Sequence, residues 1–232
     1  MKTQNIAPFS YKYYEYMLQH ALETGAIISS FEKFSYSHER TIILRHDVDF
    51  HLNGVMQLAT IEANLGVSST YMFRVHANEH NLFSPYTYKI LENVLSLGHE
   101  IGLHYECMSF CRALNNKNPE QVFTQEKIVL ESIIGRNVIS ATEHRDISCA
   151  VHKTPYFSDN FNPEDYGIEH FAMSDKYHKE MKYLSDSNGH WKEGDLFKHI
   201  DAHNRFQILT HPDWWYQDDL LLKGAYFHGF EH

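Results

Sequence analysis

The sequence predicts an α/β chain folded as a β/α barrel of seven strands, incomplete rather than fully closed. Three observations carry that expectation. Strand-like and helix-like segments alternate along the chain. The strands end, one after another, on acidic, histidine or arginine side chains. No Pro/Gly/Ser-rich linker and no internal repeat divides the 232 residues. Alternation of this kind implies parallel pairing through right-handed crossovers, and reactive groups at C-terminal strand ends are the habit of β/α barrels. An open doubly wound sheet is the alternative architecture. The whole chain, 1–232, reads as one domain, with a barrel core over about 41–216.

Thr41-Ile-Ile-Leu-Arg-His-Asp47 is a short β-branched run and opens the series as a buried strand. Leu52, Val55, Met56, Ala59 and Ala63 recur at three and four residues, an amphipathic helix closed near Gly66. Ser68 to Arg74 is the second strand, and Pro85 to Leu97 a helix with Tyr88, Leu91 and Leu95 on one stripe. His99 to His104 returns as a strand. Asn118-Pro119-Glu120 places a cap residue before a proline in a first helical turn, and Val122, Glu126, Val129, Ile133 and Ile134 carry that helix to Gly135. Val138 to His144 is the fourth strand. Gly167 to Met173, Lys182 to Ser185 and Phe206 to His211 complete the seven.

The strand ends are Asp47 with Asp49, Arg74, His104 with Glu106, His144 with Arg145, Asp186, and His211. Their chemistry points to one shared site. Strand parity agrees, because alternate side chains face opposite sides of a sheet. Ile43, Arg45, Asp47 and Asp49 share a face, as do Glu100, Gly102, His104 and Glu106, then Ser140, Thr142 and His144, and finally Gln207, Leu209 and His211. The complementary sets (Ile42, Leu44, Val48; Ile101, Leu103; Phe206, Ile208) are mainly apolar and would meet the helices. Arg45 and Glu100 fall one layer below the site, where an ion pair between them would satisfy two buried charges.

Composition narrows the function. With 43% hydrophobic and 22% charged residues the chain is globular, and its net charge of −10 speaks against a nucleic-acid-coating or anionic-membrane-binding protein. No apolar run approaches the length of about 20 residues that a membrane span needs, so a cytoplasmic protein is expected. Three cysteines (Cys107, Cys111, Cys149) read as reduced thiols rather than a disulfide frame. Eighteen histidines, against 20 Lys plus Arg, are heavy use of the commonest metal-ligand side chain.

Arg45-His-Asp-Val-Asp49, Ser69-Thr-Tyr-Met-Phe-Arg74 and Gly98-His-Glu-Ile-Gly-Leu-His104 together resemble the polysaccharide deacetylase family (carbohydrate esterase family 4-like). Within it the His-Asp-Val-Asp first motif and the Gly-Leu-His-Tyr-Glu second motif resemble a branch associated with surface-polysaccharide biosynthesis. Tyr183 to Asp186, Trp191 and Ile208 to Trp215 extend the likeness, which spans about Ile42 to Trp215. The resemblance implies a deacetylase-type distorted barrel and a metal-dependent amidohydrolase that removes an N-acyl group, usually acetyl, from an amino sugar. It implies one divalent ion, with zinc the best match, and Asp47 as base, Asp49 and His104 as metal ligands, and His211 as the proton donor to the leaving nitrogen.

Two departures bear on the site. The family's adjacent aspartates are separated here by Val48, and its second metal histidine falls on Met108, a poor ligand for zinc. His99 cannot replace it, lying about 16 Å down the strand and on the other face. His144 and Glu106 both have the right parity, with a two-His, one-carboxylate set favouring His144. Arg74, Arg145, Glu106, Asp186 and Trp214 are the candidate substrate-binding groups. The substrate expected is an acylated amino sugar, nucleotide- or lipid-linked. Loss of the metal at Met108 would instead leave a non-hydrolytic scaffold, and a metal-dependent sugar isomerase or lyase is the minor alternative.

Overall fold

The computed structural model describes residues 6–217, apart from 116–117 and 146. The parts of the expected domain at 1–5 and 218–232 therefore lie outside the described residues. Eight strands alternate with helices: β1 (Ile27–Ser29), β2 (Thr41–Val48), β3 (Thr70–Phe73), β4 (Glu100–Tyr105), β5 (Ser140–Glu143), β6 (His170–Phe171), β7 (Lys182–Ser185) and β8 (Arg205–Thr210). Every strand pair among them is parallel. Seven run in the order β6-β5-β4-β3-β2-β8-β7, so the sheet curls into a barrel with no pairing between β6 and β7. This is the incomplete β/α barrel that the alternation predicts, in the distorted form that the resemblance implies.

All seven expected strands are present, and three of them, β3, β5 and β6, are shorter than their expected spans. The shortfall is largest at β6. The span 167–173 contracts to two paired residues, because Gly167 turns into the left-handed region and a further turn follows Phe171. The eighth strand, β1, is additional. It pairs with the lower half of β2 at Thr41 to Ile43, while β3 takes the upper half from Arg45 to Val48. β2 is therefore flanked on both sides along its length, and all eight of its residues are buried.

The helices α1 (Tyr11–Glu23), α2 (Val55–Asn64), α3 (Pro85–Ser96), α4 (Cys107–Leu114), α5 (Pro119–Ile134), α6 (Ile147–Val151), α7 (Asp175–His178) and α8 (Leu196–Ala202) connect and cover the strands. Local sequence sets their ends. Ser10, Ser84 and Asn118 each accept a backbone N–H in the first turn of α1, α3 and α5, and Pro85 and Pro119 occupy positions that need no donor. Ile42, Leu44, Phe206 and Ile208 pack with Met17, Leu18 and Leu58, from α1 and α2. Val48, Ile101 and Leu103 pack with Val55, Ile90, Leu91 and Leu130, from α2, α3 and α5. Inside the barrel a third cluster, with Phe31, Ile43, Met72 and Tyr177, fills the lower lumen. Gly102 faces this interior; a Cβ there would stand 2.3 Å from Met72 Sδ and 2.9 Å from the Ser140 carbonyl oxygen.

One expectation is corrected. Arg45 and Glu100 both face the lumen, yet they do not pair. Arg45 lies level with Thr70, and Thr70 level with Glu100. The two charges are thus separated by two strand spacings, about 10 Å. Arg45 turns upward instead: Nε and Nη2 donate to the two oxygens of Asp47, each at 2.8 Å, and Nη1 donates to Gln207 at 3.0 Å. Glu100 accepts from Thr70 Oγ1 at 2.6 Å, from Ser140 Oγ and from the Glu32 backbone N–H at 3.0 Å. These donors are neutral, and burial pushes the Glu100 carboxyl above its ordinary pKa.

Candidate metal centre

The C-terminal ends of β2, β4, β5 and β8 meet at one rim. Asp49 stands at the centre of that meeting. His104 presents Nε2 to Asp49 Oδ1 at 3.1 Å, and His144 presents Nε2 to the same oxygen at 3.9 Å. His211 presents Nε2 to Asp49 Oδ2 at 3.7 Å. Asp47 lies alongside, its Oδ2 3.4 Å from His104 Nε2. Among the described residues, Asp49, His104 and His144 are the group whose ligand atoms all lie within 4.8 Å of one another.

The histidine orientations are set from behind. His104 Nδ1 is 3.2 Å from the Thr142 carbonyl oxygen. A carbonyl only accepts, so Nδ1 donates there and Nε2 is the nitrogen turned towards Asp49. His211 Nδ1 meets Asp186 Oδ1 at 2.6 Å, and His144 Nδ1 lies 3.1 Å from Glu106 Oε2. All three rings thus turn Nε2 inward and Nδ1 towards an oxygen.

A cation fits this arrangement. Asp49 Oδ1 is buried and makes no hydrogen bond, although two imidazole nitrogens flank it. A buried carboxylate oxygen without a hydrogen bond, set between two imidazole nitrogens, is a place that a cation would satisfy. Two imidazoles and one carboxylate are a donor set that zinc accepts with a position to spare. Burial opposes ionisation of Asp49, but the His104 contact and the imidazoles of His104, His211 and His144 outweigh it and hold the carboxyl well below its ordinary range.

Asp47 and His211 flank the trio with different supports. Burial would raise the Asp47 pKa, but Arg45 and then His104 lower it, so Asp47 is a carboxylate bonded bidentately to Arg45. Burial would lower the His211 pKa; Asp186, then Asp49 and Asp47, raise it to about 9. Asp186 has no exposed surface. One oxygen meets His211 Nδ1, and the other accepts from the His211 backbone N–H and Trp215 Nε1, each at 3.0 Å. It is placed to hold His211 and Trp215.

The remaining candidates divide. Arg74 is buried and fully engaged. Its Nε and Nη2 donate to Glu106 Oε2 at 2.8 and 2.6 Å, and its Nη1 to the Asp49 carbonyl oxygen at 2.6 Å. These contacts brace the rim from within. Arg145, half-buried, lies 3.6 Å over the Tyr156 ring and donates from Nη2 to the Thr154 carbonyl. Trp214 stands beside His211 with ring centroids 6.4 Å apart, and its Nε1 is buried without a hydrogen bond. Met108 packs against the apolar core on α4, and His99 donates or accepts at the other end of its strand, near Ala59 and Ser69.

Two contributors escaped the sequence reading. Asp213 accepts the backbone N–H groups of Phe50 and His51 at 3.3 and 2.9 Å, tying the loop after β2 to the turn after β8. Gly54 lets that loop close, since a Cβ there would be 2.3 Å from the Pro212 carbonyl oxygen. The second is Glu62 on α2, wholly buried behind β2 with His46 Nε2 at 2.7 Å and hydroxyls of Tyr14, Ser69 and Tyr71 donating to it. An Asp-Trp pair after a strand-end histidine hinted at the first; a glutamate on the apolar stripe of a helix hinted at the second.

No protein-family model matches the chain, and no curated protein does. Solved structures do. Peptidoglycan deacetylase PdaC from Bacillus subtilis, in a substituted form, is 12% identical over 75% of this chain and 76% of its own, with a TM-score of 0.49. A family 4 carbohydrate esterase from Bacillus anthracis is 15% identical over 90% and 87%, with a TM-score of 0.46. The chitin deacetylase of the fungus Colletotrichum lindemuthianum is 14% identical over 74% and 73%, with a TM-score of 0.43. The likeness is one of chain path. Among the described residues, no helix is long and apolar enough to cross a membrane.

Proposed function

We propose that the protein is a metal-dependent amidohydrolase that removes an N-acyl group, acetyl in the simplest case, from an amino sugar. One observation carries this reading: a buried, unbonded carboxylate oxygen of Asp49 faces the Nε2 atoms of His104 and His144. Those three residues would hold one divalent ion, zinc by donor type. When bound, such an ion polarises the acyl carbonyl and acidifies a water beside it.

The chain's own groups supply the proton transfers. Asp47, fixed by Arg45, accepts a proton from the attacking water as the new C–O bond forms. His211 donates from Nε2 to the leaving nitrogen as the C–N bond breaks, leaving a carboxylate and a free amine. Asp186 keeps the Nδ1 side of His211 occupied, so Nε2 is the nitrogen that faces the reaction. Trp214 would offer an apolar wall beside His211, and Arg145 a guanidinium for an anionic portion of the substrate, as a nucleotide- or lipid-linked sugar carries. The proposed setting is the cytoplasm, where Cys107, Cys111 and Cys149, which form no disulfide among the described residues, would stay reduced.

The test joins metal content to product. Purified without chelator, the protein should carry or take up about one equivalent of zinc or a similar ion. It should then release free amine from a panel of N-acetylated nucleotide sugars. A protein that takes up no ion at any concentration is a scaffold, and one that binds the ion but isomerises or eliminates without releasing amine belongs to another reaction class.

A further inference from the structure

Glu106 and Arg74 occupy the rim without being free to meet a substrate. Their side chains are 9% and 10% exposed, and each is committed to the other. What they touch beyond each other is informative. Glu106 Oε2 lies 3.1 Å from His144 Nδ1, on the side of the ring away from Asp49. Arg74, whose Nε and Nη2 converge on that same oxygen, sends Nη1 to the backbone carbonyl of Asp49 at 2.6 Å. One guanidinium therefore joins the residue that carries the carboxylate ligand to the carboxylate behind a histidine ligand. The main chain of Glu106 is itself held from α5, where Glu126 Oε1 accepts its N–H at 3.4 Å.

Resting on the proposed metal site, we propose that Arg74 and Glu106 are positioning residues. Glu106 accepts a hydrogen bond from His144 Nδ1–H when the ion is bound and so directs Nε2 to the ion, while Arg74 fixes Glu106 and the Asp49 backbone in one frame. The physical need for this is specific to His144. Its strand mate in the site, His104, has the Thr142 carbonyl to fix its tautomer. His144 Nδ1 is buried without a hydrogen bond, and the Glu106 oxygen 3.1 Å away is the acceptor within its reach. A carboxylate behind a metal-bound imidazole also raises the basicity of the ligating nitrogen. Glu106 Oε2 is thereby committed to the back of a ligand and not to the ion.

Zinc affinity is the readout, measured by competition with a chromogenic chelator on the full chain. Glu106→Ala should keep a stoichiometry of one ion and weaken affinity about 10- to 100-fold, the usual effect of removing such a partner. Glu106→Gln, which can still present an oxygen to Nδ1–H, should recover most of that loss. In the zinc-loaded wild type, 15N-histidine NMR should show His144 protonated at Nδ1 and coordinated through Nε2. The proposal is overturned if Glu106→Ala binds zinc as wild type does, if Glu106→Gln loses the ion altogether as a direct ligand would, or if His144 coordinates through Nδ1. The NMR arm decides the matter should Glu106→Ala fail to fold. A wild type that binds no zinc brings down the metal site itself; wild-type binding with unchanged variants brings down only the positioning role.

Discussion

Arg45 and Asp47, two residues apart on one face of β2, are joined by a pair of parallel hydrogen bonds of 2.8 Å. The side chain that keeps the proposed base ionised therefore comes from the same strand as the base. Arg45 also reaches Gln207 on β8, so the pair links two central strands just below the rim. Removing one partner of a buried pair strands the other, at a cost of about 3–5 kcal/mol. Arg45→Met should lose that much stability in denaturant unfolding. Glu100→Gln, at the same height but bonded to neutral donors, should lose less than about 1.5 kcal/mol. Equal losses in the two variants would mean that the lumen charges are arranged differently.

His46 faces the other way and leads to a second prediction. It reaches Glu62 Oε1 at 2.7 Å and Thr210 Oγ1 at 2.6 Å, while Tyr14, Ser69 and Tyr71 donate to Glu62 and His99 Nδ1 stands 3.4 Å from it. Burial would raise the Glu62 pKa, but His46, His99 and Ser69 lower it. A carboxyl with a lowered folded pKa contributes stability that is complete above its unfolded pKa, about 4.3, and is lost as pH falls through the folded value. Burial also lowers the His99 pKa, so the unfolded chain takes a proton first as pH drops below about 6.5, which destabilises in the same direction. The contribution of this network to the unfolding free energy should thus fall as pH drops from 7 to 4 and further below, read as the difference between wild type and the Glu62→Gln variant. Glu62→Gln should be about 3–5 kcal/mol less stable at pH 7 and show a flatter acid limb. Parallel pH profiles for the two proteins would remove Glu62 from the account.

The contrast between these two networks shows what was legible. Strand parity placed Arg45, Asp47, Glu100, His104 and Gln207 in the lumen, because one face of each strand is polar and the other apolar. Partner choice was not legible: it depends on which strands intervene, and β3 lies between Arg45 and Glu100. His46 and Glu62 broke the apolar pattern on the helix-facing side, and nothing in one sequence says that two such breaks meet. Helix α1 was missed although Tyr14, Met17, Leu18 and Ala21 keep the helical period, because the half-buried Tyr11, Tyr13 and Tyr16 widen its apolar face beyond a single stripe. Strand β1 was missed because it has only three residues, one of them exposed.

Gly102 supplies a packing prediction. The interior at β4 is filled by Met72, and an added methyl would also press on the Ser140 backbone carbonyl of β5, which cannot move without breaking the sheet. Gly102→Ala should cost at least about 1–3 kcal/mol. Pairing it with Met72→Ala should recover only the part due to the flexible thioether, measured as a double-mutant cycle in denaturant. Full recovery would show that the Ser140 contact is tolerated.

Asp186 is expected to act on rate and not on metal. It touches His211 at both ring and backbone and makes no contact with Asp49, His104 or His144 among the described residues. Asp186→Asn should leave zinc stoichiometry at the wild-type level while lowering kcat about 100- to 10,000-fold, as the imidazole loses its preferred tautomer. Metal loss in this variant would tie Asp186 to the ion and contradict the separation of roles.

The two histidines that flank Asp49 from opposite sides give the sharpest test of the site. His144 Nε2 and His211 Nε2 stand at nearly equal distances from its carboxylate, 3.9 and 3.7 Å, so distance does not choose between them. The oxygens do. His144 shares Oδ1 with His104, the oxygen that is buried without a hydrogen bond, whereas His211 faces Oδ2. The supports differ as well: His211 is bonded to Asp186, which belongs to no ligand, while His144 is backed by Glu106, which is braced to the Asp49 backbone through Arg74. His144→Ala should therefore lose bound metal and turnover together. His211→Ala should keep about one equivalent of metal and lose turnover alone, with elemental analysis and amine release measured on the same preparations. If His211→Ala also comes out metal-free, His211 is a ligand, and the leaving nitrogen must take its proton from another group.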